Sequence, residues 1–258
     1  MNKIIISSTA RAIWGFARVN WGFTRVIWSF ARANWGFARV VWVFALVICA
    51  SGLLVSCSES EENASADEYK NWQARNDSYF ASVRSRALDA IALAKIAYGD
   101  NWEQRCDWRA FLSYSREENA DSNESTDSIF VQIVQRGTGS GYPLGTDNIR
   151  VFYLGRLMPT DLHPLGKMFD HSGQSTIVDK IFDRNTARPS DFSVASLTRG
   201  FATAVQHMRI GDRWKIYVPY KLGYGKTKTG TIPAYSTLVF EVELVQYARS
   251  GSVLPSWN

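Results

Sequence analysis

The sequence predicts an α+β protein: a twisted antiparallel sheet that packs on one short helix and follows a longer helical segment. From Asp67 to about Tyr98, apolar residues recur at three- and four-residue steps, the period of an amphipathic helix. Four later segments alternate apolar and polar residues, the period of a strand with one buried face. Between the second and third of these, Arg199 to Met208 is helical again. A sheet that buries one face on a helix is the economical assembly.

Each predicted element has its own apolar set. The strands contribute Ile129, Val131 and Ile133; Ile149, Val151 and Tyr153; Trp214, Ile216 and Val218; and Leu238, Phe240, Val242 and Leu244. The short helix contributes Phe201, Ala204, Val205 and Met208, and the long one contributes Trp72, Tyr79, Phe80, Val83, Ala87, Ala90, Ile91, Ala94 and Ala97. Two elements separate the long helix from the first strand. A second helix or an extended arm from Trp102 to Tyr114 fits the sequence equally, and residues 116–128 form a predicted exposed linker.

The net positive charge of the chain comes from its first 57 residues. The formal net charge is +5, yet residues 1–57 hold six basic side chains and no Asp or Glu. Without those six, 23 basic residues face 24 acidic ones. We therefore expect no nucleic-acid partner.

Residues 1–56 have the layout of a secretory signal peptide. An apolar run over 40–56 follows Arg39, and tryptophans at positions 14, 21, 28, 35 and 42 form an upstream heptad repeat. The run ends in Leu54-Val55-Ser56-Cys57, which resembles a bacterial lipobox. The sequence thus predicts lipidation at Cys57, a tether over 57–66 and a lipid-anchored envelope protein. Ser58 in place of Asp favours the outer membrane, and the periplasmic and surface faces both remain open.

The cysteines and histidines predict neither a disulfide nor a metal site. Of the three cysteines, Cys49 would leave with the signal and Cys57 would carry lipid, so Cys106 has no partner. The histidines, His163, His171 and His207, lack the paired spacing of a zinc motif. We expect no metal and no cofactor.

A series of motifs carries a family resemblance over residues 128–248. In order, they are Val151-Phe152-Tyr153-Leu154-Gly155; Gly166-Lys167-Met168-Phe169-Asp170-His171-Ser172; Asp183-Arg184-Asn185 with Pro189 and Phe192; Arg199-Gly200-Phe201; Gly211-Asp212; Leu222-Gly223-Tyr224-Gly225; and Ile232-Pro233 through Leu244. Their common order resembles the FKBP-type peptidyl-prolyl isomerases. The resemblance implies an FKBP-like half-barrel around one short helix, with residues 249–258 as a tail.

The resemblance also implies an activity and a site. The activity would be cofactor-free cis/trans isomerisation of prolyl bonds in proline-containing polypeptides, assisting the folding of envelope or secreted proteins. The implied catalytic residues are Tyr153, Phe169, Asp170, Phe201, Tyr224 and Phe240. The implied substrate-binding residues are Leu197, Thr198 through its main-chain N–H, Ile232, Phe192 and Arg184. Asp170 is also expected to pair with Tyr153 or Arg184.

Several positions depart from the family pattern. Phe201 stands where many members have Trp, and Ser190 stands where a pocket aromatic often lies, so Phe192 or the insertion over 173–182 would have to fill that wall. The loop over 226–231 lacks an apolar tip, and an extension over 158–165 enlarges the rim. Two alternatives therefore remain open: a catalytically weak FKBP-like chaperone or binding lipoprotein, and an envelope structural lipoprotein that forms a homodimer through residues 67–98.

Overall fold

A computed structural model describes residues 67–114, 127–173 and 187–257 of the chain. The predicted leader, the whole tether with Cys57, most of the linker, and Arg184 lie outside these residues. No helix in the described ranges is both long enough and apolar enough to cross a bilayer.

The long helix, α1, spans Trp72–Tyr98, so it ends where the apolar period predicts and begins after the predicted start at Asp67. It begins at Trp72 because Asn71 adopts a left-handed conformation with φ 52°. It ends where Gly99, at φ 51°, donates its N–H to the Lys95 carbonyl. Most of the predicted stripe is buried, and the buried set is Trp72, Asn76, Phe80, Val83, Ala87, Ile91 and Ala94.

The segment predicted as a second helix or an arm contains both structures. One turn of helix, α2, covers Trp102–Arg105, and strand β1 then covers Trp108–Leu112. β1 pairs antiparallel with the strand that begins at Ser128. The linker predicted over 116–128 extends too far at its carboxyl end, because Ser128 already belongs to that strand. The carbonyl oxygen of Asp127 also accepts the Ser113 N–H at 2.8 Å.

Six further strands complete the sheet. They are β2, Ser128–Gln135; β3, Asn148–Leu157; β4, Met168–His171; β5, Ser190–Ser193; β6, Arg213–Val218; and β7, Leu238–Ala248. The order is β1-β2-β6-β7-β3-β4, β5 also pairs with β3, and all pairings are antiparallel. All four predicted strands are present, as β2, β3, β6 and β7. The three further strands β1, β4 and β5 were not predicted, because each has only four or five residues, too few for a clear periodic pattern.

The sheet lies between two helices. Its inner face packs on the short helix α3, Arg199–Val205, which ends before the predicted Met208 although Met208 is fully buried in the same core. Gly200 allows this contact, because a Cβ at that position would lie 2.3 Å from Cγ1 of Val218. On the outer face, α1 packs through Phe80, Val83 and Ala87 on a cluster of Phe130, Tyr217 and Val239.

The predicted tail also packs on the sheet. Arg150 of β3 donates to the Pro255 carbonyl at 2.5 Å, and Trp257 meets Phe152 edge-on with ring centroids 5.8 Å apart. Phe152 is fully buried. Residues 249–257 are therefore part of the domain.

The packing of α1 on the sheet predicts a loss of stability at alkaline pH. Burial, with a smaller effect of Tyr217, raises the pKa of Tyr79 to about 12. Because the folded pKa exceeds that of the unfolded chain, this stabilisation is complete below pH 10 and is lost as the pH rises towards 12. We expect Tyr79 to contribute about 1 kcal/mol of the loss in unfolding free energy between about pH 9 and about pH 11.

Urea unfolding of wild type and Tyr79→Phe at both pH values measures this contribution. Tyr79→Phe should lose less stability than wild type, whereas Tyr98→Phe, at an exposed position of the same helix, should lose as much. Equal losses in wild type and Tyr79→Phe would contradict the prediction.

Candidate active site

Four aromatic rings from distant parts of the chain form a continuous series on the inner face of the sheet. Tyr153 of β3 lies 6.2 Å from Phe201 of α3, between ring centroids. Phe201 stacks on Phe240 of β7 at 4.9 Å, and Phe240 meets Phe169 of β4 edge-on at 5.6 Å. These separations fall in the range in which aromatic rings attract one another. The structure thus brings together four of the six predicted catalytic residues through direct ring contacts.

Phe192 extends this series at its other end. Its ring meets Tyr153 edge-on, with centroids 5.5 Å apart. Phe192 lies on β5, two residues after Ser190, which pairs with Val151. Phe192 therefore places an aromatic ring next to Tyr153 from the same strand that carries Ser190.

Asp170 interacts with the two tyrosines of the site. Burial, then a hydrogen bond to Asp170, raises the pKa of the Tyr153 hydroxyl. Burial and the charge of Asp170 also raise the pKa of Tyr224. Both hydroxyls therefore remain protonated through the neutral range and can donate hydrogen bonds. Asp170 itself is exposed at the rim and accepts the His171 N–H at 2.9 Å.

Ser172 holds the backbone that carries Tyr153. Its hydroxyl oxygen accepts the Tyr153 N–H, and its own N–H donates to the Tyr153 carbonyl, both at 2.9 Å. Ser172 is almost fully buried, so these bonds are shielded from water. The serine of the predicted Phe-Asp-His-Ser motif thus fixes β3 against the end of β4.

Gly155 leaves the space that Phe169 occupies. Gly155 comes two residues after Tyr153, so its Cα hydrogen faces the same inner side of the sheet. It pairs with Asp170 and Phe240 on the flanking strands. A Cβ at this position would lie 2.6 Å from two ring carbons of Phe169 and 3.0 Å from Phe240. The glycine of the Val-Phe-Tyr-Leu-Gly motif is therefore required by the close approach of a site ring.

This contact predicts the effect of Gly155→Ala. The added methyl should displace the Phe169 ring and lower kcat/KM for a proline peptide about tenfold, at a cost of about 1–3 kcal/mol in stability. Kinetics on folded protein measure the first effect and urea unfolding the second. Gly145→Ala is the matched control, since its Cβ would meet only the flexible end of Gln206, at 3.4 Å. Equal kcat/KM for Gly155→Ala and Gly145→Ala would contradict the prediction.

Known proteins are similar in sequence to the carboxyl-terminal half of this chain. Residues 143–245 match the family described as FKBP-type peptidyl-prolyl cis-trans isomerase. The macrophage infectivity potentiator of Trypanosoma cruzi is 36% identical over 124 residues, which are 48% of this chain and 55% of that protein. The FKBP-type 22 kDa peptidyl-prolyl cis-trans isomerase of Escherichia coli K12 is 32% identical over 135 residues, 51% of this chain and 55% of that protein.

A smaller relative decides the family. A peptidyl-prolyl cis-trans isomerase of Schizosaccharomyces pombe is 32% identical over 115 residues, which are 44% of this chain and 89% of that protein. The chain belongs to the FKBP-type isomerase family. It spans about half the length of the first two relatives.

The remaining predicted residues of this FKBP domain lie in loops and at a helix end. Ile232 is buried in the same core cluster as Phe201 and Phe240, and Leu197 packs against that cluster. Tyr224 is 39% exposed, which fits a rim position. Thr198 is the N-cap of α3, where main-chain N–H groups have no acceptor within the helix. Arg184 lies outside the described residues, so its pairing with Asp170 stays a prediction.

Within the described ranges, no group of three or more His, Cys, Asp or Glu residues is arranged to hold a metal ion. His163 contacts the Glu68 carboxylate at 2.7 Å, and His171 contacts the neighbouring Ser172 carbonyl at 3.0 Å. His207 stacks on Phe111 with ring centroids 4.0 Å apart.

Three residues of α1 and its approach contact loops of the FKBP domain and were not predicted to do so: Glu68, Trp72 and Asn76. Trp72 was predicted only as part of an apolar stripe. Asn76 is a polar residue in that stripe, four positions from both Trp72 and Phe80. This signal was present in the sequence and was not used. A polar side chain at a buried helical position needs a partner outside the helix.

Proposed function

We propose that this protein is a peptidyl-prolyl cis-trans isomerase acting on proline-containing polypeptides. The observation that carries the proposal is the contact series of Tyr153, Phe201, Phe240 and Phe169 on the inner face of the sheet. Membership of the family supports the reaction type. The names of the relatives from E. coli and S. pombe state the same activity for those proteins.

An apolar aromatic site suits this reaction because no bond is made or broken. Rotation about a peptide bond must overcome a resonance barrier of about 18–20 kcal/mol. A twisted amide has less charge separation than a planar one. Transfer from water to an apolar site therefore destabilises the planar ground state more than the twisted transition state, which lowers the barrier.

Each side chain has a proposed role in that mechanism. Phe201 is the floor under the pyrrolidine ring, and Tyr153, Phe169, Phe240 and Ile232 are the walls. The protonated Tyr224 hydroxyl and the Thr198 main-chain N–H orient the carbonyl groups of the substrate. Asp170 holds the Tyr153 hydroxyl, which makes it a positioning residue. Leu197 and Phe192 extend the apolar contact along the peptide.

A protease-coupled assay with a proline tetrapeptide tests the proposal. Wild-type protein should accelerate the slow cis-to-trans phase in proportion to its concentration, and Gly145→Ala should match it. A slow phase equal to the uncatalysed rate at high protein concentration would remove the isomerase function. In that case the weakly catalytic binding protein of the same fold becomes the better account, and a peptide titration would detect its binding.

The location of the protein follows from the sequence around Cys57. We propose an envelope protein held by lipid on Cys57, with the outer membrane favoured because Ser58 replaces Asp. Expression in a Gram-negative host, membrane fractionation and mass spectrometry test this. Wild type should carry diacylglycerol and sediment with membranes, and Cys57→Ser should lose the lipid. An unmodified Cys57 in the mature protein would overturn the anchor.

A second candidate function is self-association through α1, which the carboxyl-terminal half of the helix favours. Leu93 is 67% exposed and Ile96 is 83% exposed, although the opposite side of α1 is buried on the sheet. Deletion of residues 58–127 would remove the proposed dimer helix. It would also remove β1 and the helical layer on the outer face of the sheet, so a change in solution mass could not be assigned to the helix surface alone. The better test is the solution mass of the double variant Leu93→Glu, Ile96→Glu against wild type and against Leu144→Glu, an exposed apolar control. Equal masses for all three proteins would count against a dimer.

A further inference from the structure

The first turns of α1 and the residues just before it contact two loops, one of which leads into the site strand β4 and the other of which carries two residues of the candidate site. The first rim loop, residues 158–167, connects β3 to β4 and leads directly to Phe169. The second rim loop, residues 223–237, connects the 3-10 turn at Tyr220–Leu222 to β7 and contains Tyr224 and Ile232. Both loops lie in the protein sequence far from α1.

Glu68 holds the first rim loop. Its carboxylate accepts the Thr160 hydroxyl at 2.7 Å and contacts Nδ1 of His163 at 2.7 Å. Thr160 and His163 are also bonded to each other, through Thr160 N–H to the His163 carbonyl and His163 N–H to the Thr160 hydroxyl oxygen, both at 3.0 Å. The Glu68 side chain is 2% exposed, so its charge depends on these partners. Lys167, at the end of the loop, lies over the Tyr69 ring at 5.8 Å.

Trp72 and Asn76 hold the second rim loop. The Trp72 indole N–H donates to the Ser236 hydroxyl oxygen at 2.9 Å, and that hydroxyl donates to the Pro233 carbonyl at 2.7 Å. Pro233 directly follows Ile232 of the site. The Thr237 N–H donates to the Asn76 side-chain oxygen at 2.7 Å, and the Asn76 amide donates to the Trp72 carbonyl at 2.8 Å.

These hydrogen bonds are buried, so they are shielded from competition with water. Asn76, Ser236 and Thr237 are each 3% exposed or less, and Trp72 belongs to the same core cluster as Phe201 and Phe240. A buried polar network in which every member has a partner restricts the conformation of the segments it joins. The same nine residues, 68–76, thus restrain both loops at once.

We propose that residues 68–76 are a positioning element for the candidate site, which hold both rim loops in the conformation that receives a proline-containing peptide. The inference rests on the proposed isomerase function. Loops held in advance need not be ordered by the substrate, so the benefit falls on substrate binding. None of these residues is placed in contact with the reacting amide.

Two conservative variants and one matched control test the proposal. Trp72→Phe removes the indole N–H and keeps a ring in the core, and Glu68→Gln removes the carboxylate charge and keeps a side-chain oxygen. Ile91→Ala is the control, because Ile91 is a buried residue of the same helix in a separate cluster with Ala94 and Cys106. We expect KM for a proline peptide to rise about fivefold in each rim variant, with kcat within about twofold of wild type. Ile91→Ala should change neither constant.

Hydrogen exchange gives a readout that does not depend on catalysis. Opening of a restrained loop should speed the exchange of amide protons near Thr160 in Glu68→Gln and at Thr237 in Trp72→Phe about tenfold, with no such change in Ile91→Ala. If neither loop exchanges faster than in the control, or if KM is unchanged while wild type is active, the positioning element is refuted. If wild type does not isomerise the peptide, the proposed function fails, and loop exchange still decides whether residues 68–76 restrain the rim.

Discussion

Replacement of Phe201 by Ala is expected to lower kcat/KM for a proline tetrapeptide about 100-fold. Burial of a phenylalanine side chain is worth about 1.5–3 kcal/mol, and a loss of about 2.7 kcal/mol from the transition state corresponds to that factor. Phe201 is 4% exposed and touches both Tyr153 and Phe240, so its loss removes the floor and loosens two walls. Stopped-flow or protease-coupled kinetics at low temperature measure the change.

The controls for Phe201→Ala separate activity from stability. A buried Phe→Ala change costs about 3–5 kcal/mol of unfolding free energy, so each variant must first be shown to be folded by near-UV circular dichroism. Phe130→Ala removes an equally buried ring from the outer face and should lose stability with little change in kcat/KM. Phe201→Trp, which restores the residue implied by the family resemblance, should remain active. If Phe201→Ala is folded and as active as Phe130→Ala, the aromatic floor has no role.

Replacement of Phe80 by Ala is expected to lower the unfolding free energy by about 3–5 kcal/mol. Phe80 is 8% exposed on α1, and its ring lies 5.5 Å from that of Phe130 in β2. Removal of the ring leaves a cavity between the helix and the sheet, because the surrounding residues relax only in part. Urea unfolding at neutral pH measures the loss.

Leu93→Ala is the comparison on the same helix. Its side chain is largely exposed, so the unfolding free energy should change by less than about 0.5 kcal/mol. A small effect of Phe80→Ala, equal to that of Leu93→Ala, would mean that α1 does not pack on its own sheet. The alternative in which α1 serves mainly to join two copies of the chain would then gain support.

The long elements were predictable from sequence because each repeats its apolar period several times. Every residue of the predicted strand stripes is buried, as is most of the predicted α1 stripe. The strands are also buried on their other face, at Phe130, Phe152 and Val239, because α1 and the carboxyl-terminal residues cover it. The strands β4 and β5 have four residues each, too few for an alternation to stand out from chance. They form because β3 offers them a free edge, and this tertiary condition has no local signal.

The site was predictable as a set of residues and not as an arrangement. The family resemblance named the rings, yet only the structure orders them as Phe192, Tyr153, Phe201, Phe240 and Phe169 by contact. The link between Trp72 and Ser236 joins residues 164 positions apart, and no pattern in the sequence connects them. The buried Asn76 showed that a partner was needed and did not say which one.

Exchange NMR on a short proline peptide tests the central claim most directly, because it observes turnover of the prolyl bond at equilibrium without a coupling protease. Uncatalysed interconversion takes about tens to hundreds of seconds at room temperature, so the free peptide gives no cis–trans exchange peaks on the NMR timescale. With catalytic amounts of wild-type protein, exchange peaks between the cis and trans proline signals should appear, and with folded Phe201→Ala they should be far weaker. Wild-type protein that produces no exchange peaks, or a folded Phe201→Ala that produces them at full strength, would contradict the account.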